Sequence, residues 1–370
     1  MNKIVVASDS FKGTLSSKDI CQLFIDEFKD RKDLDLITIP IADGGEGSLE
    51  AISSSIKGKY ISHPTRVMDK KIKMSSYFLS NDNTAYIEVN KTCSFTSNNK
   101  IKDTGLLSSI GVGKQIKHAI IHNHVKKIYV CLGGSKTTDA GVGMLSSLGV
   151  IFYNKNKKEF IPNGYTLNYI YNLDTSKMDK LLKDVEIVGL CDVDNPLYGD
   201  NGSPVIFGPQ KGADEKKIRL LDENFKYFAD FINRTRNIDI ANIKGSGAAG
   251  GIGAGLLLTN RCKLINGANK ILEIVNFKKK IEGASYLITG EGRLDNQTLN
   301  GKLVSSVLKN VDNKDVKIIL IAGSSNIKKE KLNPNIDIIE TNYNHLPFDK
   351  IKNDAQKMYI EAIRRLKREI

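Results

Sequence analysis

The sequence lacks tryptophan and long apolar runs, and it has only five cysteines in 370 residues. No apolar run approaches the ~18 residues that a membrane-spanning helix needs, so we expect no membrane partner. The cysteines are odd in number and none forms a CxxC pair, which argues against a zinc site or a disulfide framework. The N-terminus leads directly into a predicted strand, without the layout of a signal peptide. These absences predict reduced, buried thiols and a cytoplasmic protein.

Arginine is also scarce, because it supplies only 10 of the 55 basic residues, although the net charge is +13. Surfaces that bind nucleic acids usually favour arginine, whose planar guanidinium grips phosphate with two hydrogen bonds, and they interleave aromatic residues. The lysines here are instead spread along the chain. We therefore expect no nucleic-acid partner and a lysine-rich surface that mildly attracts anionic metabolites. A non-catalytic basic binding protein is the less favoured alternative.

The order of predicted elements places the chain in the α/β class, and its length is sufficient for two domains. A strand at 3–7, a helix that begins at a capping box of Ser16 and Asp19, and a strand at 36–41 form a βαβ unit, which predicts a parallel sheet. The C-terminal region continues in this style. It is predicted to contain strands at 285–289, 317–322 and 336–340, a helix near 302–310 and a terminal amphipathic helix.

The middle of the chain follows a different pattern. Strands at 71–79 and 84–89 flank a turn of asparagine and aspartate residues, which predicts a β-hairpin. A polar stretch at 154–180 is expected to be an irregular surface excursion. We therefore predict a discontinuous Rossmann-like parallel-sheet domain with a second α/β domain inserted and an active site in the interdomain cleft. The predicted domains are 1–65 plus 285–370, and 66–284.

Five strands are each followed by a small-residue loop that carries an aspartate. The loops are 8–13, 42–47, 133–139, 191–196 and 290–295. In open α/β sheets, ligands bind beyond the carboxyl ends of the strands. Glycines in such loops let backbone N–H groups approach an anion, while carboxylates hold Mg²⁺ or take a proton. The pattern therefore predicts an enzyme that handles phosphate groups.

Two glycine-rich segments are candidate phosphate sites. Gly133-Gly134-Ser135 follows an apolar strand directly and is typical of an anion-binding nest, although it could serve only as the cap of the next helix. The segment 245–255 contains GxGxxG at Gly245, Gly247 and Gly250. No clear strand precedes it and no acidic residue follows at ribose-binding distance, so a dinucleotide site is disfavoured. A loop over phosphates is favoured, with tight helix packing as the alternative.

Charged residues at two strand ends are candidates for catalysis. Asp192 and Asp194 would share one face of an extended segment, which suits Mg²⁺ or an acid/base pair, with an Asx turn before Pro196 as the structural alternative. Lys211 lies in a predicted rigid turn. Arg293 has the geometry to grip a carboxylate or phosphate, or else forms a structural pair with an aspartate.

Together these motifs resemble those of the bacterial type I glycerate kinases. They occur in family order over nearly the whole chain, and the combination is specific where each motif alone is weak. The motifs are Asp9-Ser10-Phe11-Lys12-Gly13, Ala42-Asp43-Gly44-Gly45-Glu46-Gly47, Leu132-Gly133-Gly134-Ser135, Cys191-Asp192-Val193-Asp194-Asn195-Pro196-Leu197, Phe207-Gly208-Pro209-Gln210-Lys211-Gly212-Ala213, Gly247-Ala248-Ala249-Gly250-Gly251 and Thr289-Gly290-Glu291-Gly292-Arg293-Leu294-Asp295. The resemblance implies phosphorylation of D-glycerate by ATP and Mg²⁺, most often at the 2-hydroxyl, by a two-domain α/β enzyme.

We assign roles to these residues as a hypothesis. Asp192 would accept the hydroxyl proton, with Asp194 as the alternative base, and Arg293 would bind the substrate carboxylate. Lys12 and Lys211 would stabilise the transferring phosphoryl group. The metal would be held among Asp194, Asp295 and Asp43. The expected substrate- and nucleotide-binding residues are Asp9, Ser10, Gly44, Gly45, Gly133, Gly134, Ser135, Gly247, Gly250 and Gly251.

Several points stay open at the level of sequence. The residues do not separate the 2-phosphate from the 3-phosphate product, nor base from metal ligand among the carboxylates. A nucleotide- or NAD-dependent enzyme acting on another small hydroxy acid is an alternative of a different class. The oligomeric state is also undetermined, and a homodimer is one option.

Overall fold

The computed structural model describes residues 2–94, 101–259, 262–295, 303–313, 315–327, 333–342 and 344–370. The chain divides into two compact units. Unit 1 comprises Met1–Asp43, Glu50–Ile56 and Ala268–Ile370, and unit 2 comprises Gly44–Leu49 and Lys57–Gly267. The predicted domains, 1–65 plus 285–370 and 66–284, are parts of the chain that would fold independently, and this division stays a prediction.

The strands and helices alternate along much of the chain. The strands are β1 (Asn2–Val6), β2 (Leu34–Thr38), β3 (Gly58–Arg66), β4 (Ile72–Ser80), β5 (Thr84–Glu88), β6 (Lys127–Cys131), β7 (Ile151–Tyr153), β8 (Glu159–Phe160), β9 (Asn172–Asp174), β10 (Glu186–Cys191), β11 (Cys262–Asn266), β12 (Tyr286–Leu294), β13 (Lys317–Ser325) and β14 (Ile336–Glu340). The helices are α1 (Ser17–Phe28), α2 (Ser48–Ser55), α3 (Asn90–Cys93), α4 (Ile110–Asn123), α5 (Val142–Leu148), α6 (Ser176–Leu181), α7 (Ser203–Phe207), α8 (Glu215–Arg236), α9 (Ala248–Leu257), α10 (Gly267–Ile274), α11 (Phe277–Ile281), α12 (Leu303–Lys309), α13 (Phe348–Ile351) and α14 (Ala355–Glu369). Short 3-10 helices span Thr104–Leu106, Leu167–Tyr169 and Pro209–Lys211.

Unit 1 is built on a five-stranded sheet in the order β14-β13-β12-β1-β2. Every neighbouring pair is parallel, which confirms the parallel sheet predicted from the βαβ pattern. The capping box is also confirmed, because the Ser16 side chain accepts the Asp19 N–H while the Asp19 carboxylate accepts the Ser16 N–H. The predicted helix near 302–310 is observed over Leu303–Lys309, while residue 302 lies outside the described residues.

The core of unit 1 includes the packing of α1 against α14. Phe24 and Tyr359 meet edge to face with ring centroids 6.4 Å apart, and Phe11 meets the same tyrosine at 5.1 Å. Tyr359, Ala362 and Leu366 are fully buried, so the apolar stripe predicted for the terminal helix faces its own sheet. The packing anchors the loop that follows β1.

Unit 2 contains a six-stranded sheet in the order β11-β10-β6-β5-β4-β3. The four strands from β11 to β5 are parallel to one another, and β4 and β3 extend the sheet in antiparallel fashion. The hairpin between β4 and β5 confirms the predicted turn, in which Asn83 adopts a left-handed φ of 62°. The parallel strands bring the loops after β5, β6 and β10 to the same edge.

The prediction of an irregular stretch at 154–180 is wrong in part, because short regular elements alternate there with turns and irregular segments. Residues in this stretch form β8, β9 and α6, and the two short strands pair with β7 in a small antiparallel sheet. The polar composition concealed this sheet because its strands are two or three residues long. Among the described residues, no helix has the length and apolar character required to cross a membrane. None of the five cysteines forms a disulfide, and four of them are buried.

Candidate active site

In unit 1, the loop after β1 places Asp9 and Ser10 beside the end of β12. The Asp9 N–H donates to the Gly290 carbonyl at 2.9 Å, which continues the pairing of the two strands. The Asp9 carboxylate in turn accepts the Ser10 N–H at 2.6 Å. This turn holds the aspartate at the carboxyl end of the sheet, as the strand-end pattern predicts.

Asp9 belongs to a cluster of carboxylates in unit 1. Burial, followed by the negative charges of Asp43 and Glu291, raises the pKa of Asp9 well above its usual range. The Lys12 ammonium lies 3.8 Å from the Asp43 carboxylate, and the Lys12 side chain is 79% exposed. The site therefore combines concentrated negative charge, which favours a cation, with a lysine that can reach a ligand.

The segment 290–295 differs from its prediction as a loop. β12 continues to Leu294, and Arg293 is in register with Ser324 of β13. The strand extends because Gly290 lets β13 approach closely, since a methyl group there would lie 1.8 Å from the Ile321 carbonyl. Alternation along the strand leaves Arg293 exposed and Leu294 buried, and Asp295 follows immediately.

In unit 2, two predicted glycine loops meet. A methyl group at Gly133 would lie 2.5 Å from the Cα atom of Gly45, and one at Gly44 would lie 2.7 Å from the Cα atom of Gly267. Gly44 also has a φ of +100°, which disfavours any other residue. The loops after β6 and before α2 are thus in direct backbone contact, which brings together Gly44, Gly45 and Gly133 as candidate phosphate-binding positions.

The residues after Gly133 are held by contacts within unit 2. Gly134 has a left-handed φ of +65°, and a methyl group there would lie 3.0 Å from the Asn90 Cβ atom. Ser135 is buried, and its hydroxyl lies 2.8 Å from that of Thr137. The Asp139 carboxylate accepts the N–H groups of residues 109, 141 and 143. These hydrogen bonds fix the course of the loop into α5.

Lys211 lies next to the glycine-rich segment before α9. Its ammonium is buried and donates to the Thr137 carbonyl at 2.7 Å, and a methyl group at Gly250 would lie 1.9 Å from the same oxygen. Burial lowers the pKa of Lys211 to about 8, a shift opposed by the nearby Cys93 and Asp139. The structure therefore brings Lys211, Gly250 and the loop after β6 together.

The glycine-rich segment also packs against the loop after β10. A methyl group at Gly247 would lie 2.2 Å from the Pro196 carbonyl, and one at Gly245 would lie 2.6 Å from the Cys191 sulfur. Ala249, Gly250 and Gly251 all have left-handed backbone conformations at the start of α9. A dinucleotide-binding GxGxxG motif follows a strand directly, and the described residues contain no strand immediately before this segment.

Asp192 and Asp194 lie on the loop after β10 and are both exposed. Asp194 forms an ion pair with Lys244 at 3.1 Å. Because the Asp192 side chain is exposed, it is accessible to a ligand at the carboxyl end of β10, whereas Lys211 is buried. Unit 2 thus combines an exposed carboxylate pair with three glycine-bearing segments.

The sequence of this chain matches a known protein family. The model of the glycerate kinase family matches residues 4–370. The chain belongs to the glycerate kinase family. It is therefore an enzyme of the kinase class, and the family predicted from its sequence motifs is confirmed.

Individual glycerate kinases are similar in sequence to this chain over most of their length. A glycerate kinase from Bacillus cereus is 38% identical over 326 residues, which cover 87% of this chain and 85% of that protein. The glycerate 2-kinase of Escherichia coli is 35% identical over 325 residues, with 87% and 85% coverage. A crystal structure described as a glycerate kinase 2 from Salmonella typhimurium LT2 matches with a TM-score of 0.80 and 30% identity over 98% of this chain and 96% of that one.

For this glycerate kinase family member, the strand-end pattern missed one buried carboxylate. Glu88 is the last residue of β5 and is only 1% exposed. Its carboxylate accepts the Gly47 N–H at 2.5 Å, and burial raises its pKa to about 7. The sequence carries a signal for this residue, because Glu88 ends an apolar strand, but it is a glutamate within the strand and not an aspartate in the loop that follows.

The pH dependence of stability tests whether Lys211 is buried as the structure shows. Because the folded-state pKa of Lys211 is about 8 and its ordinary value is 10.5, the unfolded chain binds more protons between these values. The stability of the wild type relative to Lys211→Met should therefore rise between pH 8 and 10, by at most about 1.4 kcal/mol per pH unit. Urea denaturation of both proteins across this range measures the difference, and a pH-independent difference would contradict the buried ammonium.

Proposed function

We propose that the protein transfers the γ-phosphoryl group of ATP to D-glycerate, giving 2-phosphoglycerate and ADP. The observation that carries the proposal is the direct contact of the Gly45 and Gly133 loops at the strand ends of a chain of the glycerate kinase family. Such loops leave backbone N–H groups close to a ligand, as phosphate binding requires. The name of the 35% identical E. coli glycerate 2-kinase supports the 2-phosphate product.

The residues present fit a nucleotide with a magnesium ion. The described residues contain no group of three or more His, Cys, Asp or Glu side chains arranged to hold a metal. Mg²⁺ needs no such cage, because it commonly binds one or two carboxylates together with substrate phosphates and water. The negative charge around Asp9 and Asp43 suits this arrangement. We propose Asp43 as a metal ligand, with Asp194 and Asp295 as further candidates, and the ion would neutralise charge on the phosphates.

The proposed protein groups act by positioning and by electrostatics. Asp192 would take the proton of the attacking hydroxyl, for which its exposure at a strand end is suitable. The exposed Lys12 would contact the transferring phosphoryl group, and the exposed Arg293 would bind the substrate carboxylate with two hydrogen bonds. Lys211 donates to a backbone carbonyl, so we propose that its positive charge acts on the phosphates while it also holds the glycine segment.

The deciding experiment is coupled detection of ADP release with D-glycerate, L-glycerate and glycolate as acceptors. We expect turnover that depends on ATP, Mg²⁺ and D-glycerate, with much weaker activity on the other two acids. ³¹P NMR of the product then locates the phosphate on the 2- or the 3-hydroxyl. Absence of ADP release with D-glycerate, together with binding of NAD(P)H, would replace the proposal with the dehydrogenase alternative. Salt-sensitive retention of DNA or RNA without ATP turnover would favour the basic binding protein.

The location of the protein follows from the same proposal. The five cysteines form no disulfide, which is typical of a reducing compartment, and the cytoplasm supplies the proposed substrate ATP. We therefore propose the cytoplasm as its site of action.

A further inference from the structure

Glu88 links the sheet of unit 2 to the loop at 44–47. It ends β5 and is in register with Cys131 of β6, the strand that leads to Gly133. One carboxylate oxygen accepts the Gly47 N–H at 2.5 Å, and the other oxygen is buried with no hydrogen-bond partner among the described residues. The side chain is 1% exposed and therefore has little freedom to adopt another rotamer.

The hydrogen-bond partner of Glu88 lies at the start of α2. Gly47 directly precedes this helix, whose first N–H groups have no partner within the helix. A carboxylate is favoured there both by charge-assisted hydrogen bonds and by the positive end of the helix dipole. With the Gly47 N–H occupied by Glu88, a ligand at this loop would use the N–H groups that precede Gly47.

The loop itself has little tolerance for displacement. Gly45 is in backbone contact with Gly133, and its carbonyl accepts the Ser48 hydroxyl at 2.7 Å. Gly44 is equally confined against Gly267. A shift of the helix start by a fraction of an ångström would therefore move Gly44 and Gly45 relative to the loop after β6, and positional errors of this size reduce catalysis strongly.

The charge of Glu88 is only partly compensated. The Lys91 ammonium lies 3.7 Å from the second carboxylate oxygen, while Glu46 is the nearby like charge. Burying a carboxylate in this way is unfavourable unless hydrogen bonds hold it. A residue needed only to fill space would be apolar at this position, so the carboxylate points to a need for an acceptor for the Gly47 N–H.

We propose that Glu88 is a positioning residue that holds the start of α2 so that Gly44 and Gly45 bind the phosphates of the nucleotide. The inference rests on the proposed ATP-dependent reaction and extends it to a residue outside the sequence-predicted site. Glu88 acts through Gly47 and is not assigned any contact with the substrate.

Three substitutions separate position from charge. Glu88→Gln keeps the length of the side chain and one acceptor oxygen, Glu88→Asp keeps the charge but shortens the reach, and Glu88→Ala removes both. We expect the Kd and the KM for ATP to rise about 10-fold or more in Glu88→Asp and Glu88→Ala, and to stay within about 3-fold of wild type in Glu88→Gln. The KM for D-glycerate should change less than that for ATP in all three.

The matched control is Asp69→Asn. Asp69 is also a buried carboxylate of unit 2 that accepts a backbone N–H and pairs with a lysine, Lys71, at 3.3 Å. It lies in the turn after β3 and contacts neither glycine loop among the described hydrogen bonds. We expect Asp69→Asn to lower the melting temperature without changing the affinity for ATP.

ATP binding is measured by titration calorimetry and turnover by ADP release, so the two proposals can fail separately. If wild type binds ATP and Glu88→Asp weakens that binding, the inference is supported even when D-glycerate is not phosphorylated, and the proposed substrate is then wrong. Unchanged ATP affinity in Glu88→Asp and Glu88→Ala, with only a lower melting temperature, would show a purely structural role and overturn the inference. Absence of ATP binding by the folded wild type overturns it as well.

Discussion

Replacing Asp192 with asparagine should lower kcat by at least about 100-fold, because asparagine cannot accept the proton of the attacking hydroxyl. Asp192 is exposed on the loop after β10, and substitutions at exposed positions usually change the free energy of unfolding by about 0.5 kcal/mol or less, so the melting temperature should stay close to that of wild type. The KM for D-glycerate should change much less than kcat, since the lost interaction acts in the transition state. Steady-state kinetics by ADP release measures both constants.

The control for this substitution is Asp200→Asn. Asp200 is likewise exposed and lies eight positions further along the chain, outside the predicted site. It should retain wild-type kcat, which would exclude a general effect of removing a negative charge from this surface. Turnover near the wild-type rate in Asp192→Asn would remove Asp192 from the role of base and direct attention to Asp194.

Gly250→Ala should destabilise the protein by about 2–4 kcal/mol and abolish most of its activity. The added methyl group would lie 1.9 Å from the Thr137 carbonyl and 3.0 Å from the Lys211 ammonium, at a position with a φ of +73°. Relief of this overlap requires movement of the loop after β6 or of the lysine, and both belong to the predicted site. Guanidinium denaturation and the ADP-release assay measure the two effects.

Gly199→Ala separates the overlap from the backbone strain. Gly199 has a similar left-handed φ of +93°, but a methyl group there would meet no atom within 4 Å. The strain alone should destabilise the protein by about 1 kcal/mol, and the kinetics should be unchanged. If both alanine variants lose the same stability, the close approach of Gly250 to Thr137 contributes nothing and the packing argument fails.

Local signals in the sequence were sufficient for much of the fold. The capping box of α1, the turn after β4 and the buried stripe of α14 each depend on residues within one or two turns of each other. The parallel sheets follow from strands separated by helices. The same local reasoning placed Asp9, Gly133 and Asp192 just beyond strand ends, which is where the structure has them, whereas Gly290 and Gly292 lie inside β12.

Features that depend on contacts between distant segments were not predictable in this way. The contact of Gly45 with Gly133 joins positions 88 residues apart, and the burial of Lys211 depends on its approach to Thr137. No spacing rule relates these positions within one sequence. The length of β12 is a similar case, because Arg293 continues the strand only through its partner Ser324.

The contact of the Gly45 and Gly133 backbones has a consequence for altering the specificity of such an enzyme. The Cα atom of Gly45 occupies the space that a side chain at Gly133 would need, so position 133 offers no chemical variation to a protein engineer. Glu46, by contrast, is exposed between Gly45 and Gly47, and its side chain approaches Gly134. Directed evolution of ligand preference would therefore begin at Glu46 rather than at Gly133.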